Sequence, residues 1–196
     1  MPSKPAGTVK ASKSANQVRI IGGEFRRRVL HFPDTAGLRP TPDRVRETLF
    51  NWLGQDLTGL TCLDTFSGSG ALGFEAASRN AASVVMLEFS KSAFSALKQN
   101  GELLKLDTLR PDRVSFIYAD ALNWMQNCTQ QFDVIFLDPP FAGGLMDEAL
   151  NLATRLLSPQ GWIYVEQPER LQAPDGFIIH REGQAGLSHF GLIKRA

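Results

Sequence analysis

A chain of 196 residues, 43% of them hydrophobic, is long enough for one domain with a core of its own. Its longest apolar runs are strand length and its lysine-bearing start has no hydrophobic segment, so membrane spans and a secretory signal are excluded and a cytoplasmic protein is predicted. The net charge of +1 hides an asymmetry: the first 30 residues carry seven basic side chains against Glu24, a net +6, so the remainder carries −5, the pattern of a basic arm on an acidic body that grips a polyanion.

Residues 1–17, rich in Lys, Ser, Ala and Pro, are predicted to be a disordered basic tail. Residues 18–54 form a basic extension ending in a helix, a candidate RNA-binding region, and residues 55–196 the catalytic domain. Val18, Ile20 and Ile21 suit a strand, with Gly22-Gly23 turning the chain into Phe25. Arg26, Arg27 and Arg28 follow as candidate phosphate contacts, against the plain alternative of a solvated charge run. Thr41 is the expected N-cap and Pro42 the first residue of a helix whose Val45, Leu49, Trp52 and Leu53 form a core stripe. Arg39, Thr41 and Arg44 are candidates for a cofactor carboxylate or a substrate phosphate, and an N-cap with a helix-face ion pair explains them equally.

Leu63-Asp64-Thr65-Phe66-Ser67-Gly68-Ser69-Gly70-Ala71-Leu72-Gly73 reads as a strand with an acid at its tip, then a glycine-rich turn into a small-residue helix. Glu88 ends the next apolar strand, Val84-Val85-Met86-Leu87, and suits the two hydroxyls of a ribose. A dinucleotide enzyme shares the glycine pattern, but Asp64 puts negative charge where a pyrophosphate would sit. A cationic ligand without phosphate, S-adenosylmethionine, fits better. The strand Arg113 to Tyr118 ends at Asp120-Ala121, where Asp120 is an adenine contact, the N-cap of a helix through Trp124 and Met125, or both.

Phe132 to Leu137 is a buried strand ending in Asp138-Pro139-Pro140-Phe141. Two prolines stop the chain rigidly at the strand's carboxyl end, where open α/β sheets place their ligands. The Asp138 carboxylate and the Pro139 carbonyl can accept hydrogen bonds from one amino group, and Phe141 offers a flat face to a base. Leu145 to Leu157 is the next helix, Gly161 to Glu166 the next strand. Phe177 to His180 and Ser188 to Ile193, joined by Gly183 to Gly186, close the chain as an antiparallel hairpin. Cys62 and Cys128 lack metal spacing, and His31, His180 and His189 are scattered, so no metal is expected.

Asp64 with its glycines, Glu88, Asp120 and Asp138-Pro139-Pro140-Phe141 occur in the order of the class I S-adenosylmethionine-dependent methyltransferases, which the chain resembles over nearly its whole length. The blocks Arg19 to Arg28 and Leu38 to Leu53 resemble, more narrowly, the bacterial 16S ribosomal RNA guanine-N2 methyltransferase D family. Pro42, where that family is expected to carry threonine, is a small departure. The resemblance implies an α/β, Rossmann-like fold: a seven-stranded, mostly parallel sheet with helices on both faces and a carboxy-terminal antiparallel hairpin. It implies S-adenosylmethionine as donor, held by Asp64, Phe66, Ser67, Gly68, Ser69, Gly70, Glu88, Asp120, Ala121 and Thr41. The acceptor it implies is the N2 amine of guanine 966 in 16S rRNA, within the small subunit or an assembly intermediate, with Arg26, Arg27, Arg28, Arg39 and Arg44 on the RNA. A DNA-adenine or protein-glutamine methyltransferase would share the cofactor residues without needing the two arginine-bearing blocks. A nucleotide-dependent oxidoreductase or a cofactor sensor would leave Asp138 to Phe141 without a task.

Overall fold

The computed structural model describes residues 16–34, 40–109, 111–140 and 144–196. At the amino terminus β1 (Gln17–Arg19) and β2 (Val29–His31) form a two-stranded antiparallel ribbon in which alternation buries Val18 and Leu30. The chain leaves β1 earlier than expected. Ile20 exchanges backbone hydrogen bonds with Arg28 and Arg27, and Arg27 takes a φ of 71° to close the turn.

The chain continues through α1 (Asp43–Trp52), β3 (Thr61–Asp64), α2 (Ala71–Ser78), β4 (Ser83–Glu88), α3 (Lys91–Leu103) and the short α4 (Leu106–Leu109). Then follow β5 (Val114–Tyr118), α5 (Ala121–Asn127), β6 (Phe132–Leu137), α6 (Met146–Leu156), β7 (Leu157–Gln167), β8 (Phe177–Ala185) and β9 (Ser188–Arg195). The main sheet has the order β5-β4-β3-β6-β7-β9-β8; β3 to β7 are parallel, and β9 and β8 complete it antiparallel. The expected Rossmann-like sheet with its closing hairpin is therefore present. One core layer gathers α1, α2 and the ribbon residues Val18, Ile20, Phe25 and Leu30, and the other gathers α5 and α6.

Three further boundaries differ from expectation, each for a local reason. Pro42, not Thr41, is the N-cap of α1, and no side chain caps it, because the Thr41 hydroxyl is engaged elsewhere. β7 begins at Leu157 instead of Gly161; a register shift against β6 brings Gly161 so close to the Leu157 side chain that a Cβ would sit 2.8 Å from it. Gly183 belongs to β8, where its missing side chain makes room for the Phe190 ring, and only Gly186 and Leu187 form the turn.

The ribbon is fastened to the domain by a buried charge cluster. Glu75, in the middle of α2, accepts the backbone N–H groups of Ile21 and Gly22, both at 2.8 Å, and pairs with Arg79 at 2.8 Å and Arg46 at 3.4 Å. Arg46 is fully buried and also donates to Asp43, to the Thr41 carbonyl and to the Arg19 carbonyl. Arg79 stacks over the Phe50 ring at 4.9 Å. Replacing Glu75 by Ala would leave Arg79 without its carboxylate and Arg46 with Asp43 alone, and would free the ribbon. We expect Glu75→Ala to lower unfolding free energy by about 3 to 5 kcal/mol, read from urea denaturation.

Candidate active site

β3 is followed by β4 and β5 on one side, whereas β6 and β7 lie on the other, so the strand order reverses between β3 and β6. Crevices at such reversals, outside the carboxyl ends of the strands, are where open α/β sheets bind ligands. Asp64 ends β3 and Asp138 follows the last residue of β6.

Asp64 is 3% exposed, and its Oδ2 accepts the Gly73 N–H at 2.9 Å. The glycine loop between them is built by steric necessity. Gly70 has a φ of 79°, and a Cβ there would meet the Phe74 ring; a Cβ on Gly73 would lie 2.7 Å from the Met86 methyl. Ser67 anchors the loop, donating its N–H to the Leu87 carbonyl and its hydroxyl to the Asp64 carbonyl, while the Ser69 hydroxyl accepts from Ala71 N–H. Phe66 is half-buried beside it. Burial pushes the Asp64 carboxyl up to about 7, opposed by the Gly73 hydrogen bond and reinforced by the nearby Glu88 charge.

Glu88, at the end of β4, accepts the Gly68 N–H at 2.8 Å and the Ser90 N–H at 2.6 Å, so it shapes the glycine loop as well as lying on the ligand edge. Asp120 is the N-cap of α5, accepting Asn123 N–H at 2.9 Å, with Ala121 buried behind it. Of the two readings of Asp120, the cap is realised; the carboxylate also stays exposed at the sheet edge.

Asp138 is joined by a residue 97 positions earlier. The Thr41 hydroxyl donates to its Oδ2 at 3.0 Å, so the amino-terminal extension reaches into the site. Burial and the neighbouring Glu166 push the Asp138 carboxyl well above the usual carboxylate range, with Thr41 opposing them. Pro139 is buried and Pro140 exposed. Phe141 and Arg39 lie outside the described residues. Sequence reasoning missed Glu166 and Tyr164; a tyrosine and a glutamate two apart at a strand's carboxyl end, one strand over from Asp138, were the available signal.

The arginines separate into distinct places. Arg26, Arg27 and Arg28 are exposed, and Arg28 donates to the carbonyl of Leu103, the last residue of α3. The preceding Glu24 N–H donates to Ser78, the last residue of α2. Both helices run back from the ligand edge, α2 over 8 residues and α3 over 13, so the arginine turn lies on the order of 10 to 20 Å from that edge. Arg44 is exposed in the first turn of α1. Among the described residues no group of His, Cys, Asp and Glu is arranged to hold a metal, and no helix is long and apolar enough to cross a membrane.

A reversed parallel sheet with an acid-tipped glycine loop and Asp-Pro-Pro at the adjoining strand end defines a class I methyltransferase. Residues 18–194 match the family model described as conserved hypothetical protein 95. The chain is 40% identical to ribosomal RNA small subunit methyltransferase D of Escherichia coli K12, over 92% of this chain and 91% of that protein. It is 39% identical to the protein of the same name from Haemophilus influenzae, over 95% and 98%. The solved structure of putative methyltransferase yhhF from Escherichia coli superposes with a TM-score of 0.81 at 39% identity, covering 91% of this chain and 98% of that one. SMU.776, a putative methyltransferase complexed with SAH, shares the fold with a TM-score of 0.68 at 16% identity, covering 85% of this chain and 53% of that one. The chain belongs to the ribosomal RNA small subunit methyltransferase D family and is a methyltransferase.

The raised Asp64 has a consequence for stability. Its folded value of about 7 lies above the ordinary 3.8, so the folded protein holds a proton that the unfolded chain releases between those values. The contribution of Asp64 to stability is therefore greatest at low pH and declines as pH rises from about 4 to 7. Asp64→Asn, which keeps the acceptor for Gly73, should raise the stability of the unliganded protein at pH 8 and leave it nearly unchanged at pH 4, measured by thermal unfolding.

Proposed function

We propose that the protein transfers a methyl group from S-adenosylmethionine to the exocyclic N2 amine of one guanine in 16S rRNA of the small ribosomal subunit. The observation that carries this reading is Asp138, fixed through Oδ2 by Thr41; among the described residues no side chain donates to its second oxygen, which is assigned to an amine hydrogen.

The donor set fits the cofactor. Asp64 is a buried carboxylate that, among the described residues, forms no ion pair, which favours a ligand bearing a sulfonium and an ammonium over a pyrophosphate. Glu88 has lone pairs beyond those given to Gly68 and Ser90, and these suit the ribose hydroxyls. When bound, the cofactor supplies an electrophilic methyl on sulfur and departs as a neutral thioether.

A guanine amine gives its lone pair to the ring and is a weak nucleophile. Asp138 and the Pro139 carbonyl hold its two hydrogens and turn the nitrogen toward tetrahedral geometry, and Asp138 takes the proton that the methylated nitrogen sheds. Positioning of this kind is worth about 7 to 11 kcal/mol, and a base contributes about 10² to 10⁴-fold. The guanine leaves its stack to reach Asp138, and stacking on Phe141 offsets part of that cost, at about 1 to 3 kcal/mol per base.

The decisive experiment is mass mapping of 16S rRNA from cells with and without the gene. Loss of a single N2-methylguanine on deletion, restored by the wild-type gene and not by Asp138→Ala, is the expected result; unchanged rRNA overturns the reading. Asp138→Ala should keep its affinity for S-adenosylmethionine within a few-fold in calorimetric titration, because Asp138 serves the acceptor.

Arg26, Arg27 and Arg28 are assigned to rRNA phosphates. Each such contact on single-stranded RNA adds about 0.7 to the slope of log K against log salt, so replacing all three by Ala should reduce that slope by roughly 2. The ribbon fold and cofactor affinity should persist. An unchanged slope and rate would make the three arginines a solvated turn.

A further inference from the structure

We propose that Glu166 is a positioning residue that forms a proton-sharing pair with Asp138, and that it sets the pH range over which Asp138 is the anion able to accept the substrate amine. The role of Asp138 rests on the function proposed above; the pairing itself does not.

The sheet brings the two groups together. Leu137 of β6 and Val165 of β7 are register partners, so Asp138 and Glu166, one residue further on, stand side by side at the carboxyl edge. Glu166 is 5% exposed. Its Oε2 accepts the hydroxyl of Tyr164 at 2.8 Å, and Tyr164 is itself fully buried with its ring against Phe136. The groups facing the pair are Tyr164, two residues back on β7 itself, and three from elsewhere in the chain: Thr41 from the segment before α1, Asp64 from β3 and Ser188 from the start of β9. The donors among them are neutral, and Asp64 adds negative charge.

Hydrogen bonding alone does not call for a charge at 166. A glutamine carbonyl would accept the Tyr164 hydroxyl as well. What a carboxylate adds is repulsion against its neighbour, since two enclosed carboxylates side by side hold a shared proton into a range where each alone would have lost it. Both groups are accordingly pushed upward, by burial first and in Asp138 by Glu166 next. An amine that donates to Asp138 requires the shared proton to rest on Glu166. The pair then carries one negative charge instead of two when the substrate covers it, and Tyr164 and Ser188 govern how readily Glu166 takes that proton.

The test is the pH dependence of single-turnover methylation of 16S rRNA by the wild type, Glu166→Gln and Tyr164→Phe, with carboxyl-carbon NMR titration of the unliganded proteins beside it. In Glu166→Gln the repelling charge is gone, so the acid limb and the Asp138 titration should both move to lower pH. In Tyr164→Phe the Glu166 anion loses a donor, the proton settles on Glu166, and Asp138 should again ionise at lower pH. S-adenosylmethionine affinity should remain at the wild-type value in both. Acid limbs and Asp138 titrations that coincide with the wild type overturn the pairing, and a merely structural role would lower rate or stability without moving either. Should Glu166→Gln fail to fold, Tyr164→Phe decides alone. An inactive wild type would sink the proposed function, while the NMR titration would still decide whether the two carboxylates are coupled.

Discussion

The carboxylate of Glu75 is the interaction on which the rest of the molecule depends. It lies inside α2, the helix that the glycine loop opens, and it binds two backbone N–H groups of the ribbon and the guanidiniums of Arg46 and Arg79. Burying an anion is tolerable only when every lone pair is occupied by a donor, and here two cations and two amides supply them. The ribbon approaches closely because it can: the Arg79 guanidinium occupies the space of a side chain at Gly22, and the Ser78 carbonyl that of one at Gly23. Arg46 also holds the Thr41 carbonyl, so the same cluster positions the hydroxyl that reaches Asp138. Fold and site are joined through one ionic centre.

The contrast between this carboxylate and those of the site is chemical. Glu75 is matched by guanidiniums, which cancel its charge. Asp64, Glu88, Asp138 and Glu166 are held by neutral donors: the N–H groups of Gly73, Gly68 and Ser90 and the hydroxyls of Thr41 and Tyr164. Neutral donors fix the orientation of a carboxylate and leave its field uncancelled. The result is an edge of enclosed carboxylates: burial first pushes Asp64, Asp138 and Glu166 upward, and the charges of Glu88 and Glu166 add to the push on Asp64 and Asp138. Such an edge is destabilising in the empty protein and complementary to a cationic donor and an amine. That is the pattern expected where binding chemistry, and not folding, has chosen the residues.

Much of this was legible in the sequence because its signals are local. An acid before glycines, an acid ending the next strand and Asp-Pro-Pro closing a buried strand each announce themselves within a few residues, and the strand order follows from alternating strands and helices. What was not legible depends on distant segments meeting. Thr41 looked like an N-cap, but tertiary contact with Asp138 took its hydroxyl and left the cap to Pro42. Arg46 was one more charged residue on a helix of mixed charge, yet it is the most buried arginine among the described residues. The clue to it was Glu75, a lone charge in the otherwise small and apolar run Ala71 to Ser78, all of which is buried. A charge in such a helix demands a buried partner, and only basic residues elsewhere in the chain can provide one.

The placement of Arg26 to Arg28 bears on what kind of substrate the proposed reaction takes. The turn is held between the last residues of α2 and α3, by the bonds of Glu24 to Ser78 and Arg28 to Leu103, whereas Asp138 stands at the opposite edge of the sheet. A separation on the order of 10 to 20 Å corresponds to about three to six nucleotides of stacked strand at roughly 3.4 Å each. A free nucleoside at Asp138 would not reach the arginines. On the assignments proposed above, phosphates gripped by this turn and a guanine held at Asp138 belong to one structure that spans the distance. Folded rRNA meets that requirement, because its own tertiary structure holds the target and the distant phosphates in one frame. In this arrangement selectivity arises less from reading bases around the target than from the fixed interval between an anion grip and an amine acceptor.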